Sequence, residues 1–232
     1  MIYLDNSATT RPYPQVAEAV LRCLTEDFGN PSTLYTLGLE AEKTVKAARR
    51  SVAKSIGALD TEVFFTSCGT ESDNTALFGA WNSRKKQGKR IISTAVEHPA
   101  VLRCLDALKN RGADVVLLPV KPDGNLDPKE LLNVLTEDTV LVSVMHVNNE
   151  TGAIFPVEEI ACMLKDFAER HGTAKPLLHS DCVQSYGKLP LDVSRLGADM
   201  ISISAHKVHG PKGVGALYVR KGLHIPPLIY GG

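Results

Sequence analysis

Three residues of this chain have the chemical reach for catalysis: Lys207, Asp181 and His98. Each stands at the end of a β-forming run. Lys207 lies in Ser204-Ala205-His206-Lys207-Val208-His209, Asp181 closes Pro176-Leu177-Leu178-His179-Ser180-Asp181, and His98 sits in Glu97-His98-Pro99. A desolvated lysine has a depressed pKa and attacks carbonyls; on a surface loop it is an ordinary solvated cation. A buried carboxylate at Asp181 requires a cationic partner. An imidazole can stack on an aromatic ring and exchange protons near neutral pH, although a single histidine is as readily a structural side chain. The pair His206 and His209 has no third ligand at a spacing suited to a metal, and no metal is expected.

A fourth feature is Ser67-Cys68-Gly69-Thr70-Glu71-Ser72, a small-residue turn that opens a helix. Free N–H groups and the helix dipole there would hold a phosphate or carboxylate, with the Thr70 hydroxyl as a further donor. By itself the same segment also reads as a capping signal, with Thr or Ser followed by acidic residues. The cluster His146-Val147-Asn148-Asn149-Glu150-Thr151-Gly152 is dense in polar groups, which turn chemistry alone could explain. Taken together, an anion cradle, a stacking histidine, an inward aspartate and an amine nucleophile describe a site for pyridoxal 5'-phosphate. In such a site a lysine forms the Schiff base, an aspartate keeps the pyridine nitrogen protonated and a helix N-terminus takes the phosphate. Walker A, Gly-x-Gly-x-x-Gly, His-Glu-x-x-His and Gly-x-Ser-x-Gly motifs are all missing, so nucleotide, zinc and serine-hydrolase chemistries lack their signatures.

These residues must be carried to one edge by alternating elements. Periodicity predicts helices over Gln15–Glu26, Leu34–Ile56, Ser72–Gln87, Ala100–Asn110, Pro128–Leu135 and Val157–Arg170. Strands are predicted over Glu62–Thr66, Arg90–Val96, Ala113–Val120, Thr139–Met145, Pro176–Asp181, Asp199–Ser204 and Gly213–Val219. Continuous apolar runs such as Val140-Leu141-Val142-Ser143-Val144 suit strands covered on both faces, so the fold class is α/β with a mostly parallel seven-stranded sheet. In such sheets ligands sit beyond the carboxyl ends of the strands. The connection around His206 to Lys212 is too short for a helical crossover, which predicts one antiparallel pair.

The chain has 232 residues, 44% of them hydrophobic, enough for a sizeable core, and the helix–strand alternation favours one large domain over two small ones. Lys plus Arg and Asp plus Glu are 26 each, so there is no net field to steer nucleic acid or an anionic membrane, and a small-molecule partner is expected. No signal segment and no stretch approaching about 18 uninterrupted apolar residues is present, which reads as cytoplasmic. The five cysteines are widely spaced without Cys-x-x-Cys, as reduced packing residues would be. Ile225-Pro226-Pro227-Leu228-Ile229-Tyr230-Gly231-Gly232 reads as a loop entering something more.

Several ordered blocks resemble the NifS-like cysteine desulfurases of the class V aminotransferase family, which have the fold type I pyridoxal phosphate architecture. They include Tyr3-Leu4-Asp5-Asn6-Ser7-Ala8-Thr9-Thr10, Thr66-Ser67-Cys68-Gly69-Thr70-Glu71-Ser72-Asp73-Asn74 and Glu97-His98-Pro99-Ala100-Val101. They continue in Met145-His146-Val147-Asn148-Asn149-Glu150-Thr151-Gly152, His179-Ser180-Asp181-Cys182-Val183-Gln184 and Ser204 to Gly215, so the likeness runs the whole length. The resemblance implies that Lys207 carries the cofactor, Asp181 pairs with the pyridine nitrogen and His98 stacks on the ring. It also implies that Asn149 and Gln184 bond the phenolic oxygen, and that Gly69, Thr70, Ser204 and His206 bind the phosphate. The implied reaction takes sulfur from L-cysteine, leaving alanine and a protein persulfide for a sulfur-acceptor protein in iron–sulfur or thio-cofactor assembly, with a homodimer as the working unit.

The resemblance further implies one cofactor-binding large domain over residues 1–232, with an N-terminal arm at about 1–30 and a C-terminal small domain beyond this sequence. In the family that later portion carries the attacking cysteine and substrate-carboxylate contacts, and the partner subunit adds a phosphate contact. Tyr35 where a histidine is common, and Cys182 beside Asp181, depart from the family pattern. Selenocysteine lyases and other class V lyases or aminotransferases share the same scaffold and stay open as readings, as does a catalytically incomplete cofactor-binding module.

Overall fold

The structure is a computed structural model describing residues 2–231. Seven helices and seven strands follow one another along it: α1 (Pro14–Thr25), α2 (Thr36–Ser55), β1 (Val63–Thr66), α3 (Gly69–Arg84), β2 (Arg90–Thr94), α4 (Pro99–Lys109) and β3 (Asp114–Leu118). There follow α5 (Lys129–Val134), β4 (Thr139–Ser143), α6 (Val157–His171), β5 (Leu177–Asp181), the single turn α7 (Val193–Leu196), β6 (Met200–Ser204) and β7 (Gly215–Val219). The sheet order is β1-β7-β6-β5-β4-β2-β3.

Adjacent strand residues point to opposite faces, and both faces are covered. Ile91, Leu141, Leu177, Met200 and Leu217 pack with Ala76, Leu77 and Trp81 of α3 and Val101, Leu105 and Leu108 of α4. Their neighbours Ile92, Val142, Leu178, Ile201 and Tyr218 pack on the other side with Ala53, Leu131, Ile160, Leu164 and Leu196, from α2, α5, α6 and α7. This three-layer packing is why the central strands are apolar without alternation.

Three local differences from the sequence reading have clear causes. The strand β7 enters between β6 and β1 and runs antiparallel to both, so two pairs are antiparallel where one was expected. The ten-residue link from Ala205 to Val214 cannot hold a crossover helix, and β7 therefore returns beside β6. Helix α3 begins at Gly69, three residues before the predicted Ser72, which puts Gly69 and Thr70 in its first turn. The turn α7 was not anticipated; it depends on Asp192, whose Oδ1 accepts from the Ser194 and Arg195 N–H groups, and on Gly197 at φ 72°.

Among the described residues no helix is long and apolar enough to cross a membrane. Helix α1 buries no residue, and Leu21, Leu24 and the following Phe28 are exposed.

Candidate functional site

A cavity of about 550 Å³ opens at the carboxyl edge of the sheet, and every one of the nine predicted site residues lines it. Gly69 and Thr70 come from the first turn of α3, and His98 is the N-cap of α4. Asn149 lies in the loop after β4, Asp181 ends β5 with Gln184 three residues on, Ser204 ends β6, and His206 and Lys207 belong to the 3₁₀ turn that follows. Residues spread over 139 positions of sequence meet because parallel strands deliver their ends to one edge.

One wall is built for an anion. The N-cap of α3 is Cys68, which makes no side-chain cap; Glu71 instead accepts the Ser67 N–H at 2.7 Å. The first-turn N–H groups are thus left to a ligand, with the helix dipole behind them. Opposite them Ser204 is buried at 3% exposure, and its Oγ has no hydrogen-bond partner. Gly69 is required by the close approach here, since a Cβ would lie 2.8 Å from Val183 Cγ2 and 3.5 Å from Ser204 Cβ. His206 adds an imidazole whose Nδ1 is 3.0 Å from Thr9 Oγ1; burial, then Lys207 and Lys212, push its pKa down.

The opposite wall is acidic. Asp73, His98 and Asp181 each place a ligand atom within 4.8 Å of the other two. Asp181 accepts the Val183 N–H at 2.9 Å, and burial pushes its pKa up against the opposing pull of that N–H, His98 and Lys207. Asp73 is 1% exposed with an unpartnered Oδ1; burial, and then Asp181, push it well above the carboxylate range. His179 Nε2 approaches Asp73 at 3.6 Å, but its ring is held between Ser143 Oγ and Ser202 Oγ at 2.9 and 3.0 Å. Burial drives His179 down to about 3, so it is neutral and supplies no counter-charge. Among the described residues neither carboxyl has a lysine or arginine in ion-pair contact, and the wall suits a cation entering the cavity. His98 Nδ1 accepts the Ala100 N–H at 3.1 Å, which leaves Nε2 for the cavity. A metal ion could use these three groups, but the anion cradle and the amine on the other walls favour an organic cation.

The amine is Lys207. Its Nζ donates to the carbonyl oxygens of Ser7 and, at 2.9 Å, Ala8; burial lowers its pKa while Asp181 and Asp5 oppose the shift. The same Ser7 carbonyl accepts from Gln184 Nε2 at 2.9 Å, and Gln184 Oε1 accepts from Lys188 Nζ at 2.8 Å. The segment bearing Ser7 and Ala8 is stitched down by Thr10, whose N–H and Oγ1 both donate to the His206 carbonyl, and by Tyr13 stacked on His209 at 4.4 Å.

Asp5, Ser7, Ala8 and Asp73 also line the cavity and were given no role from sequence. Asp73 left a signal: it precedes Ala76 and Leu77 by three and four positions, an acid on the buried stripe of α3. Ser7 and Ala8 left none, because they act through backbone carbonyls. Of the cysteines, Cys104 and Cys182 are buried with thiols pushed up to about 12, Cys68 lines the cavity, and Cys23 and Cys162 are exposed.

Residues 2–232 match the family model described as aminotransferase class-V. A cysteine desulfurase of Trichormus azollae is 46% identical over all 232 residues, which span 56% of that protein. The cysteine desulfurase IscS of Methanosarcina thermophila is 43% identical, with 55% of its length covered. Among solved structures, a NifS-like protein superposes with a TM-score of 0.95 at 42% identity, covering all of this chain and 62% of that one. A structure described as SspA in complex with cysteine gives 0.92 at 35% identity, covering all of this chain and 65% of that one. The chain thus spans about half the length of the curated relatives it matches.

Proposed function

Because the chain belongs to the aminotransferase class-V family, we propose that it forms the pyridoxal 5'-phosphate-binding domain of a cysteine desulfurase, the whole of residues 1–232 with an N-terminal arm. The observation that carries this reading is the polarity of one cavity: unclaimed helix N–H groups and an orphaned Ser204 hydroxyl at one wall, a cation-seeking acidic pair at the other and the Lys207 amine between the loops. A phosphate fits the first wall and a protonated ring nitrogen fits the second. Gly69, Thr70, Ser204 and His206 would hold the phosphate, Asp181 the ring nitrogen, His98 the ring face, and Asn149 and Gln184 the phenolic oxygen.

The bound cofactor supplies an electron sink for a negative charge developing at the substrate Cα. Lys207 would hold the cofactor's aldehyde carbon and would serve as the base that moves the substrate Cα proton; its lowered pKa leaves more free amine near neutral pH than an ordinary lysine has. L-Cysteine is the proposed substrate, since the relatives are named cysteine desulfurases and one similar structure holds cysteine. Sulfur transfer needs a thiolate, and burial keeps Cys104 and Cys182 protonated. The proposal therefore assigns the nucleophile to neither of these two buried cysteines. A homodimer, a cytoplasmic location and a sulfur-acceptor protein belong to the same proposal.

The test is an absorbance spectrum of the chain with added pyridoxal 5'-phosphate, repeated with Lys207→Ala. A visible band lost with Lys207 supports the reading. A folded chain that gives no band, or a band that survives Lys207→Ala, overturns it.

A further inference from the structure

Glu97 is a buried acid outside the cavity wall, 4% exposed, with no cationic partner among the described residues. Its carboxyl accepts the Met145 N–H through both oxygens, at 2.9 and 3.1 Å, and the Thr94 hydroxyl at 2.8 Å. A second link runs beside it, from Asn148 Nδ2 to the Val96 carbonyl at 3.0 Å. Both bridges join the loop after β2 to the loop after β4, on neighbouring parallel strands. His98 follows Glu97 directly, and Asn149 follows Asn148 directly. The two residues on which the ring face and the phenolic oxygen would depend are therefore held in register by side chains that never touch the cavity.

We propose that Glu97 is a positioning residue, a latch that ties the His98 loop to the Met145–Asn149 loop and so sets how the cofactor ring is held. Burial pushes the Glu97 pKa up to about 8, while the Met145 N–H and the Thr94 hydroxyl pull it down and Asp181 adds to the rise. A glutamine keeps the reach of this side chain and a carbonyl oxygen where Glu97 Oε1 accepts both the Met145 N–H and the Thr94 hydroxyl, whereas an alanine keeps neither. The phosphate cradle stands on α3, the end of β6 and its turn, and among the described residues no hydrogen bond joins it to Glu97. Displacing an orienting group by about 1 Å is enough to cost up to about a hundredfold in a positioned site.

The inference rests on the cofactor reading above, and its test separates the two. The 232-residue chain and its Glu97→Ala, Glu97→Gln and Thr94→Val variants are titrated with pyridoxal 5'-phosphate, recording affinity and the circular dichroism of the visible band. Separately, inorganic phosphate is used to raise the melting temperature. Glu97→Ala is expected to weaken cofactor capture about tenfold or more and to diminish the visible dichroism, while phosphate stabilises it as it does the wild type. Glu97→Gln restores capture to within about threefold of wild type, and Thr94→Val, which removes one of the latch's donors and keeps the side-chain shape, falls between them. If Glu97→Ala does not fold, the Gln and Val variants carry the test through the same ranking. Wild-type capture in Glu97→Ala, or a Glu97→Gln as impaired as Glu97→Ala, overturns the latch alone. Absence of any band in the wild type overturns the cofactor reading beneath it.

Discussion

Lys207 Nζ donates to the Ala8 carbonyl oxygen at 2.9 Å, across a sequence separation of 199 residues. The segment around Ser7 to Thr10 is thus part of the site's architecture, and the residue that anchors it is Thr10, 3% exposed. Its Oγ1 donates to the His206 carbonyl at 2.8 Å and accepts the His209 N–H at 2.7 Å.

Thr10→Val keeps the shape and removes both hydroxyl bonds, leaving the His209 N–H unpaired. A loss of about 1–3 kcal/mol is expected in urea unfolding, together with weaker cofactor capture as the turn bearing His206 and Lys207 loosens. Unchanged unfolding would show that the segment is not anchored in this way.

Ser204→Ala should move two quantities in opposite directions. Removing a buried hydroxyl with no partner raises the stability of the ligand-free chain by about 1 kcal/mol, whereas loss of a donor to a charged phosphate weakens cofactor affinity roughly tenfold. Thermal melts with and without pyridoxal 5'-phosphate measure both. Destabilisation of the ligand-free chain would contradict the assignment of Ser204 Oγ as a group waiting for a ligand.

Asp73 sets a pH dependence. Its folded-state pKa is raised by burial and by Asp181, so above the ordinary carboxylate pKa the folded state binds more protons than the unfolded one. Stability attributable to Asp73 therefore falls as pH rises from the ordinary value toward the raised one. Asp73→Asn should flatten this slope, gaining melting temperature relative to wild type at pH 8 more than at pH 5. A parallel shift at both pH values would rule out titration of Asp73 as the cause.

Burial lowers the Lys207 pKa, and Asp181 and Asp5 hold it up. Asp5→Asn removes one of those charges without touching the ring-nitrogen wall. The rate of cofactor capture, followed by growth of the visible band against pH, should reach its midpoint at a lower pH in Asp5→Asn than in the wild type. A midpoint shifted upward would contradict the proposed electrostatics.

The fold was largely legible because its determinants are local. Apolar runs with flanking turn residues mark buried strands, the helical period marks the covering layers, and in a parallel sheet the residue after each strand is at the ligand edge. Gly69, Thr70, His98, Asp181 and Lys207 could be grouped from their positions after strands alone. The direction of β7 relative to β1 was not legible, since pairing between strands about 150 residues apart depends on which edge is free once the rest of the sheet has formed.

The residue types that do chemistry, and the strand ends that present them, were dictated by local pattern in the chain. Tertiary packing decided which of those groups have partners. Asp73 turned from a helix-turn acid into half of a buried acidic pair when α3 packed on the sheet. Glu97 became a latch when β2 and β4 paired and brought Met145 within 2.9 Å of it. The Ser7 and Ala8 carbonyls reached Lys207 only when their segment crossed the turn at His206. Desolvation and hydrogen-bond pairing are properties of three-dimensional neighbourhoods, and a backbone carbonyl is the same in every residue, so no residue type could announce these roles.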